Sequence, residues 1–183
     1  MASHLRIAPG PSTGAQGSQP VRAIRVVLAD DHPLVRRALR LLLEHDEGLE
    51  VVGEAEDLTT VMRHMRGRPP HVLVIDLTMP GGSSMDAIRQ LRGRIPRTAI
   101  VVLTMEDSPV FAQQALEAGA TAFVLKEFAD TDLPQAVRSA ARGEPYLSPR
   151  VAARLQALER SGSGQRREPG PAQSRSRAPA SSP

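Results

Sequence analysis

Five short runs of aliphatic, often β-branched residues, each followed by a stretch with apolar side chains at helical spacing, limit what this chain can fold into. The first run is Ile24–Ala29 (IRVVLA), followed by Pro33–His45 with Leu34, Val35, Ala38, Leu39, Leu42 and Leu43 along one helical face. Leu49–Ala55 (LEVVGEA) reads as a weaker strand and Leu58–Met65 as a short helix. Val72–Ile75 (VLVI) precedes a helix over Met85–Leu91, and Ala99–Leu103 (AIVVL) precedes one over Val110–Ala118 that stops at Gly119. Ala122–Leu125 (AFVL) and a helix over Asp132–Arg142, stopped by Gly143, complete the series. Strands that are apolar almost throughout must be covered on both faces, and regular βα alternation builds a parallel sheet. The expected fold is a doubly wound α/β domain with a five-stranded parallel sheet, spanning residues 23–142.

The flanks have a different composition. Residues 1–22 are rich in Gly, Pro, Ser and Gln and carry no apolar run long enough for an export signal; residues 161–183 contain no Val, Ile, Leu, Met, Phe or Tyr. Such segments cannot offset their own ordering entropy, so both are expected to be disordered tails. No stretch reaches the ~20 apolar residues of a membrane span, and a cytoplasmic protein without membrane contact is expected. Cysteine is absent, which excludes disulfides, Cys-ligated zinc and thiol catalysis. The lack of Trp and a total of only four Phe and Tyr weigh against a stacking platform for single-stranded nucleic acid. The net charge of +3 points towards nucleic acid until it is divided along the chain. Residues 23–160 hold 17 basic and 19 acidic residues, so the excess belongs to the tails. Of the 23 basic residues, 22 are Arg, and the one Lys is Lys126.

Ligands of open parallel sheets bind outside the carboxyl ends of the strands. There strand one ends in Asp30-Asp31, strand three in Asp76, strand four in Thr104 and strand five in Lys126. Strand two ends in Glu54, Glu56 and Asp57, but as an outer strand it would hold them away. Asp or Thr can end a strand simply by capping the next helix. Capping does not explain three strands each delivering a different component, with Lys126 added. Three close carboxylates repel unless a proton or a cation intervenes, and a hard, oxygen-preferring ion such as Mg²⁺ fits them. Thr and Lys are then donors for the oxygens of a phosphoryl group.

The ordered set, with the fragments LADDHPLVRRAL, VIDLTMPGG, IVVLTMED and EAGATAFVLKE, resembles the receiver domain of two-component response regulators over about 120 residues. The resemblance implies that Asp76 is the phosphoacceptor, taking a phosphoryl group from a phosphohistidine on a sensor histidine kinase. It implies Mg²⁺ held by Asp31, by Asp30 through water, by Asp76, and by the backbone carbonyl of Thr78. Thr104 would hydrogen-bond the phosphoryl group, Lys126 would pair with it, and Phe123 would be the aromatic that follows Thr104 inward on activation. As a carboxylate nucleophile Asp76 suits acyl-phosphate formation, and Lys126 suits a partner whose charge changes. Two positions depart from the family: Ser84 stands where Gly is usual, with Gly81-Gly82 nearby to supply flexibility, and Glu127 stands where Pro often follows the Lys. His32 before Pro33 fits a strand-to-helix turn better than a metal ligand. An Asp-nucleophile phosphatase would need an acid two residues after Asp76, where this chain has Thr78; slow self-dephosphorylation is the hydrolytic activity expected, and a dedicated enzyme is not.

Residues 143–160 resemble the linker helix of LuxR/NarL-type regulators, with Ser148 able to N-cap, Pro149 in the first turn, and Val151, Leu155 and Leu158 on one face. That branch continues into a helix-turn-helix domain, whereas the 23 residues that remain here have no core. A stand-alone or shortened receiver is therefore expected, with no DNA-binding residues in it and a homodimer allowed. Two alternatives stay open: a DNA-binding transcriptional regulator acting through the basic tail or a dimer partner, and a protein-interaction module that is not phosphorylated.

Overall fold

A computed structural model describes residues 23–79 and 84–163 of the chain. The tail over 1–22, the tail from 164 onwards and the Gly81-Gly82 pair lie outside the described residues. Strands β1 (Ile24–Ala29), β2 (Leu49–Ala55), β3 (Val72–Asp76), β4 (Ala99–Thr104) and β5 (Ala122–Leu125) form a parallel sheet in the order β2-β1-β3-β4-β5. Between and after them run α1 (Pro33–His45), α2 (Leu58–His64), α3 (Ser84–Arg94), α4 (Pro109–Glu117) and α5 (Ala129–Ala141).

Alternate strand residues face opposite layers. Val27, Ala29, Leu73, Ile75, Ile100, Val102, Phe123 and Leu125 pack with residues of α2, α3 and α4. Val26, Leu28, Val72, Val74, Val101, Leu103, Ala122 and Val124 pack with residues of α1 and α5. β3 is buried along its whole length, as expected of a strand covered on both sides. The stops fall at the two expected glycines: α4 is followed by Gly119 at φ +113° and α5 by Gly143 at φ +76°. Ser84, the departure from the family glycine, is the first residue of α3, and no described non-glycine residue has positive φ.

Four features differ from the sequence reading. The sheet has a sixth strand, β6 (Tyr146–Leu147), parallel to β5 and paired Ala122↔Tyr146 and Phe123↔Leu147. Two residues carry no readable periodicity, which is why the linker looked like a helix alone. That helix, α6, runs over Pro149–Ser163, three residues past the expected limit. Ser148 has a fully buried side chain, and its backbone carbonyl accepts from Val151 and Ala152. Its hydroxyl does not cap; it accepts from the Leu125 amide (3.1 Å) and donates to Asp132 of α5 (2.5 Å). This ties the linker into the domain. α5 also starts earlier than expected, at Ala129, which puts Asp132 inside the helix and buried.

Candidate functional site

The sheet order changes direction between β1 and β3, and there the carboxyl ends of neighbouring strands leave a crevice. Ala29 pairs with Ile75, so the next residues, Asp30 and Asp76, arrive side by side. Asp76 pairs with Leu103 and Thr104 with Leu125, which carries the row on to Thr104 and Lys126. Asp30, Asp76 and Thr104 are all buried.

Lys126 joins two carboxylates. Its Nζ donates to Asp76 Oδ2 at 2.7 Å and to Asp30 Oδ2 at 2.8 Å, although these partners lie 50 and 96 residues away. Thr78 adds two more donors to Asp76: its amide to Oδ1 at 3.0 Å and its hydroxyl to Oδ2 at 2.6 Å. Burial on its own would raise the pKa of Asp76, but Lys126 and the two Thr78 bonds outweigh it and hold the carboxyl below its ordinary value. Burial would likewise lower Lys126, and the two carboxylates instead hold it above its ordinary value. Both groups are therefore charged at neutral pH.

Asp30 Oδ1 accepts from the His32 amide at 2.8 Å. His32 is the residue before α1 and makes no side-chain cap there, so neither Asp30 nor Asp31 is spent on capping. Asp31 keeps a buried Oδ1 without a hydrogen bond; His32 Nδ1 approaches to 2.8 Å, outside hydrogen-bond geometry. One ligating atom from each of Asp30, Asp31, His32 and Asp76 lies within 4.8 Å of the others. An orphaned carboxylate oxygen beside two further carboxylates fits a small, hard divalent cation.

Thr104 Oγ accepts from the Glu106 amide at 3.1 Å, which leaves its own O–H free to donate. Phe123 is fully buried below this edge, its ring edge-on to Phe111 of α4 at 6.2 Å and 71°. The acidic cluster at the end of β2 stands apart, as expected. Glu54 pairs with Arg36 (3.0 Å) and Arg40 (2.7 Å), and Asp57 caps α2 through the Thr60 amide. Missing from the sequence reading were the bond from Lys126 to Asp30 and the two from Thr78 to Asp76. A threonine two residues after the acidic strand end was the available signal for the latter.

The profile of the family described as "Response regulator receiver domain" matches residues 26–138. The transcriptional regulatory protein RcsB of Escherichia coli K12 is 35% identical over 147 residues, covering 79% of this chain and 68% of that protein. A two-component response regulator of the LuxR family from Aurantimonas sp. SI85-9A1 is 37% identical with a TM-score of 0.70, covering 76% of this chain and 99% of that one. The isolated REC domain of RcsB from Salmonella enterica serovar Typhimurium, solved with phosphomimetic BeF3-, is 36% identical with a TM-score of 0.66. That match covers 73% of this chain and 98% of that one.

Proposed function

This chain belongs to the response regulator receiver domain family, and on that premise we propose that it accepts a phosphoryl group on Asp76 from the phosphohistidine of a sensor histidine kinase. One observation carries the reading: Asp76 is a buried carboxylate kept ionised by a lysine shared with a second buried carboxylate. A nucleophile must be unprotonated, and its site must absorb the charge that arrives with the phosphoryl group. As an Asp76 oxygen bonds to phosphorus, the phosphorus–nitrogen bond to the donor imidazole breaks, and the imidazole leaves with that electron pair. Lys126 keeps its hold on Asp76 and can exchange Asp30 for a phosphoryl oxygen. The free hydroxyl proton of Thr104 is the second donor. Asp30, Asp31, Asp76 and the Thr78 carbonyl would hold Mg²⁺, whose charge offsets that of the phosphoryl oxygens when it is bound. Phe123 would be the aromatic that follows Thr104 inward when that side chain turns to the phosphoryl group. Water then returns Asp76 to a carboxylate by slow hydrolysis, releasing inorganic phosphate, and no other enzymatic activity is proposed.

The test is labelling by a small-molecule phosphodonor such as acetyl phosphate, with Mg²⁺. The native chain should form one hydroxylamine-labile acyl phosphate and Asp76→Asn should form none; equal labelling of a folded Asp76→Asn protein would end the assignment.

The similarity to a transcriptional regulatory protein favours a compatible second reading, in which the output is control of transcription through a homodimer or DNA contact. Comparing the full chain with one ending at Ser163 in a salt-titrated DNA-binding assay checks it, because phosphate contacts weaken steeply with salt. Equal binding by the two would discard a role for the basic tail. No helix among the described residues is long and apolar enough to cross a membrane, in keeping with a place in the cytoplasm.

A further inference from the structure

Charge is sorted within this fold in a way the phosphoacceptor site does not use. Residues 58–75 and 87–105 hold seven arginines and no Asp or Glu, while the rest of residues 23–160 holds 10 basic and 19 acidic residues. Five of the seven, Arg66, Arg68, Arg92, Arg94 and Arg97, fall in the last turn of α3 or in the loops that enter β3 and β4. They therefore gather at the amino ends of the strands, the opposite end of the sheet from Asp76.

Two hollows open side by side at that end. One, of about 250 Å³, is lined by Arg94 and Arg97 together with Pro69 and Thr98. The other, of about 340 Å³, is lined by Arg92, Arg97 and Arg142. They share Pro96 and Arg97, and no carboxylate among the described residues lines either. Their walls are tied together. Thr98 is buried, and its hydroxyl donates to the Pro70 carbonyl at 2.9 Å, while the Ala99 amide donates to the His71 carbonyl at 2.9 Å. Arg25 adds bonds to the Arg68 and Pro69 carbonyls, each at 3.0 Å. The Arg92 stem lies over Gly119, where a Cβ would come within 2.8 Å of its Cγ, so bare backbone gives that side chain its seat.

Arg142 pairs with Glu144, but among the described residues no carboxylate pairs with Arg92, Arg94 or Arg97. Guanidinium forks match phosphoryl oxygens in shape as well as charge. Together the hollows reach the size of small-molecule pockets, roughly 300–1,000 Å³, and their concavity suits such a ligand better than the convex backbone of a duplex. Arg97, standing between them, suits a ligand with more than one anionic group. We propose that this edge is a binding site for a small molecule with linked phosphoryl groups, a nucleoside polyphosphate or inorganic pyrophosphate. Arg97 holds the middle of the phosphoryl chain, with Arg92 on one side and Arg94 on the other.

Titration calorimetry of the full chain at low salt tests this with pyrophosphate, ATP and orthophosphate, a chelator keeping Mg²⁺ from joining any of them to the aspartates. Pyrophosphate should bind one to one, and orthophosphate more weakly. Arg97 is exposed, so Arg97→Ala keeps the fold; it should weaken pyrophosphate binding about tenfold, the scale of a hydrogen bond between charged groups. Arg89→Ala, outside both hollows, and Arg166→Ala/Arg167→Ala, in the basic tail, should leave it unchanged. Much tighter binding of ATP would identify a nucleotide as the ligand, and equal binding the phosphoryl chain alone. No binding of either at millimolar concentration would overturn the site, as would an Arg97→Ala chain that binds like the native one. Equal losses in Arg89→Ala and Arg97→Ala would reduce it to diffuse charge, and duplex DNA held through Arg97 where neither small ligand binds would replace it with a nucleic-acid surface.

Discussion

Replacing Lys126 with Met removes the cation between Asp30 and Asp76 while keeping most of the side chain's length. The two carboxylates are each 1% exposed, and Nζ lies 2.8 and 2.7 Å from their oxygens. At an effective dielectric of about 20, each contact is a gross attraction of about 6 kcal/mol, most of which offsets the cost of taking the ions out of water. Removing one partner leaves that cost uncompensated, and about 3 kcal/mol of stability should be lost at pH 7, or about 10 °C in Tm. The pH dependence then separates charge from packing. In the native chain, Asp76 has a folded pKa below its unfolded value of about 3.9, so its contribution is constant from pH 7 to 5 and is lost only as pH falls through the folded value. Lys126 has a raised pKa, and its contribution is lost only as pH rises through that value, far above neutrality. In the Met variant the buried pair has no cation, so one carboxyl must titrate upward and take a proton that the unfolded chain does not bind. Stability of the variant should therefore rise on going from pH 7 to 5, and its deficit should shrink to about 1 kcal/mol. Urea unfolding in the presence of a chelator at both pH values measures this. A deficit that is the same at pH 5 and pH 7 would refute the electrostatic account and leave only lost packing.

Further outcomes can be measured on the same protein. Adding Asp76→Asn to Lys126→Met should recover about half of the lost stability at pH 7, read by a double-mutant cycle in urea. Tyr146 is the only tyrosine, so absorbance near 295 nm follows it alone. Burial, then the charge and hydrogen bond of Asp132, raise its pKa to about 12, and Asp132→Asn should lower that value. Because its folded pKa lies above its unfolded one, stability should be lost as pH climbs from about 10 towards 12, and Tyr146→Phe should weaken that alkaline loss. Gly119 sits at φ +113° with an added Cβ only 2.8 Å from Arg92 Cγ, so Gly119→Ala should cost about 1–3 kcal/mol in thermal unfolding. At Gly53 the obstacle to a Cβ is the His64 ring, at 2.6 Å; Gly53→Ala should destabilise, and His64→Ala should relieve most of that cost.

The strands were legible because a sheet buried on both faces demands continuous apolar runs, and β1, β2 and β5 fall where those runs lie. The strand-end residues were legible because topology alone brings strand ends together: Asp30, Asp76 and Lys126 meet, and Thr104 ends the neighbouring strand. The wiring among them was not. That Lys126 splits its charge between Asp76 and Asp30, or that the Thr78 hydroxyl turns back onto Asp76, depends on side-chain positions set by tertiary packing. Ser148 shows the same limit. Its place before Pro149 is a capping pattern, but the buried Leu125 amide and Asp132 offer stronger demands than a helix end that water can reach. β6 escaped notice because two residues have no period, and its pairing partner lies more than twenty positions upstream.

That small strand also decides how the domain can be cut. The Tyr146 and Ser148 amides donate to the Thr121 and Phe123 carbonyls, and the Ser148 hydroxyl accepts from Leu125. A fragment ending at residue 142, where βα alternation alone would end the domain, leaves those groups of β5 bare along Ala-Phe-Val-Leu. An unprotected apolar edge strand is a template for pairing with another copy. Such a fragment should aggregate as it is concentrated, and the twenty-odd residues that follow serve the solubility of the sheet as well as anything docked upon it.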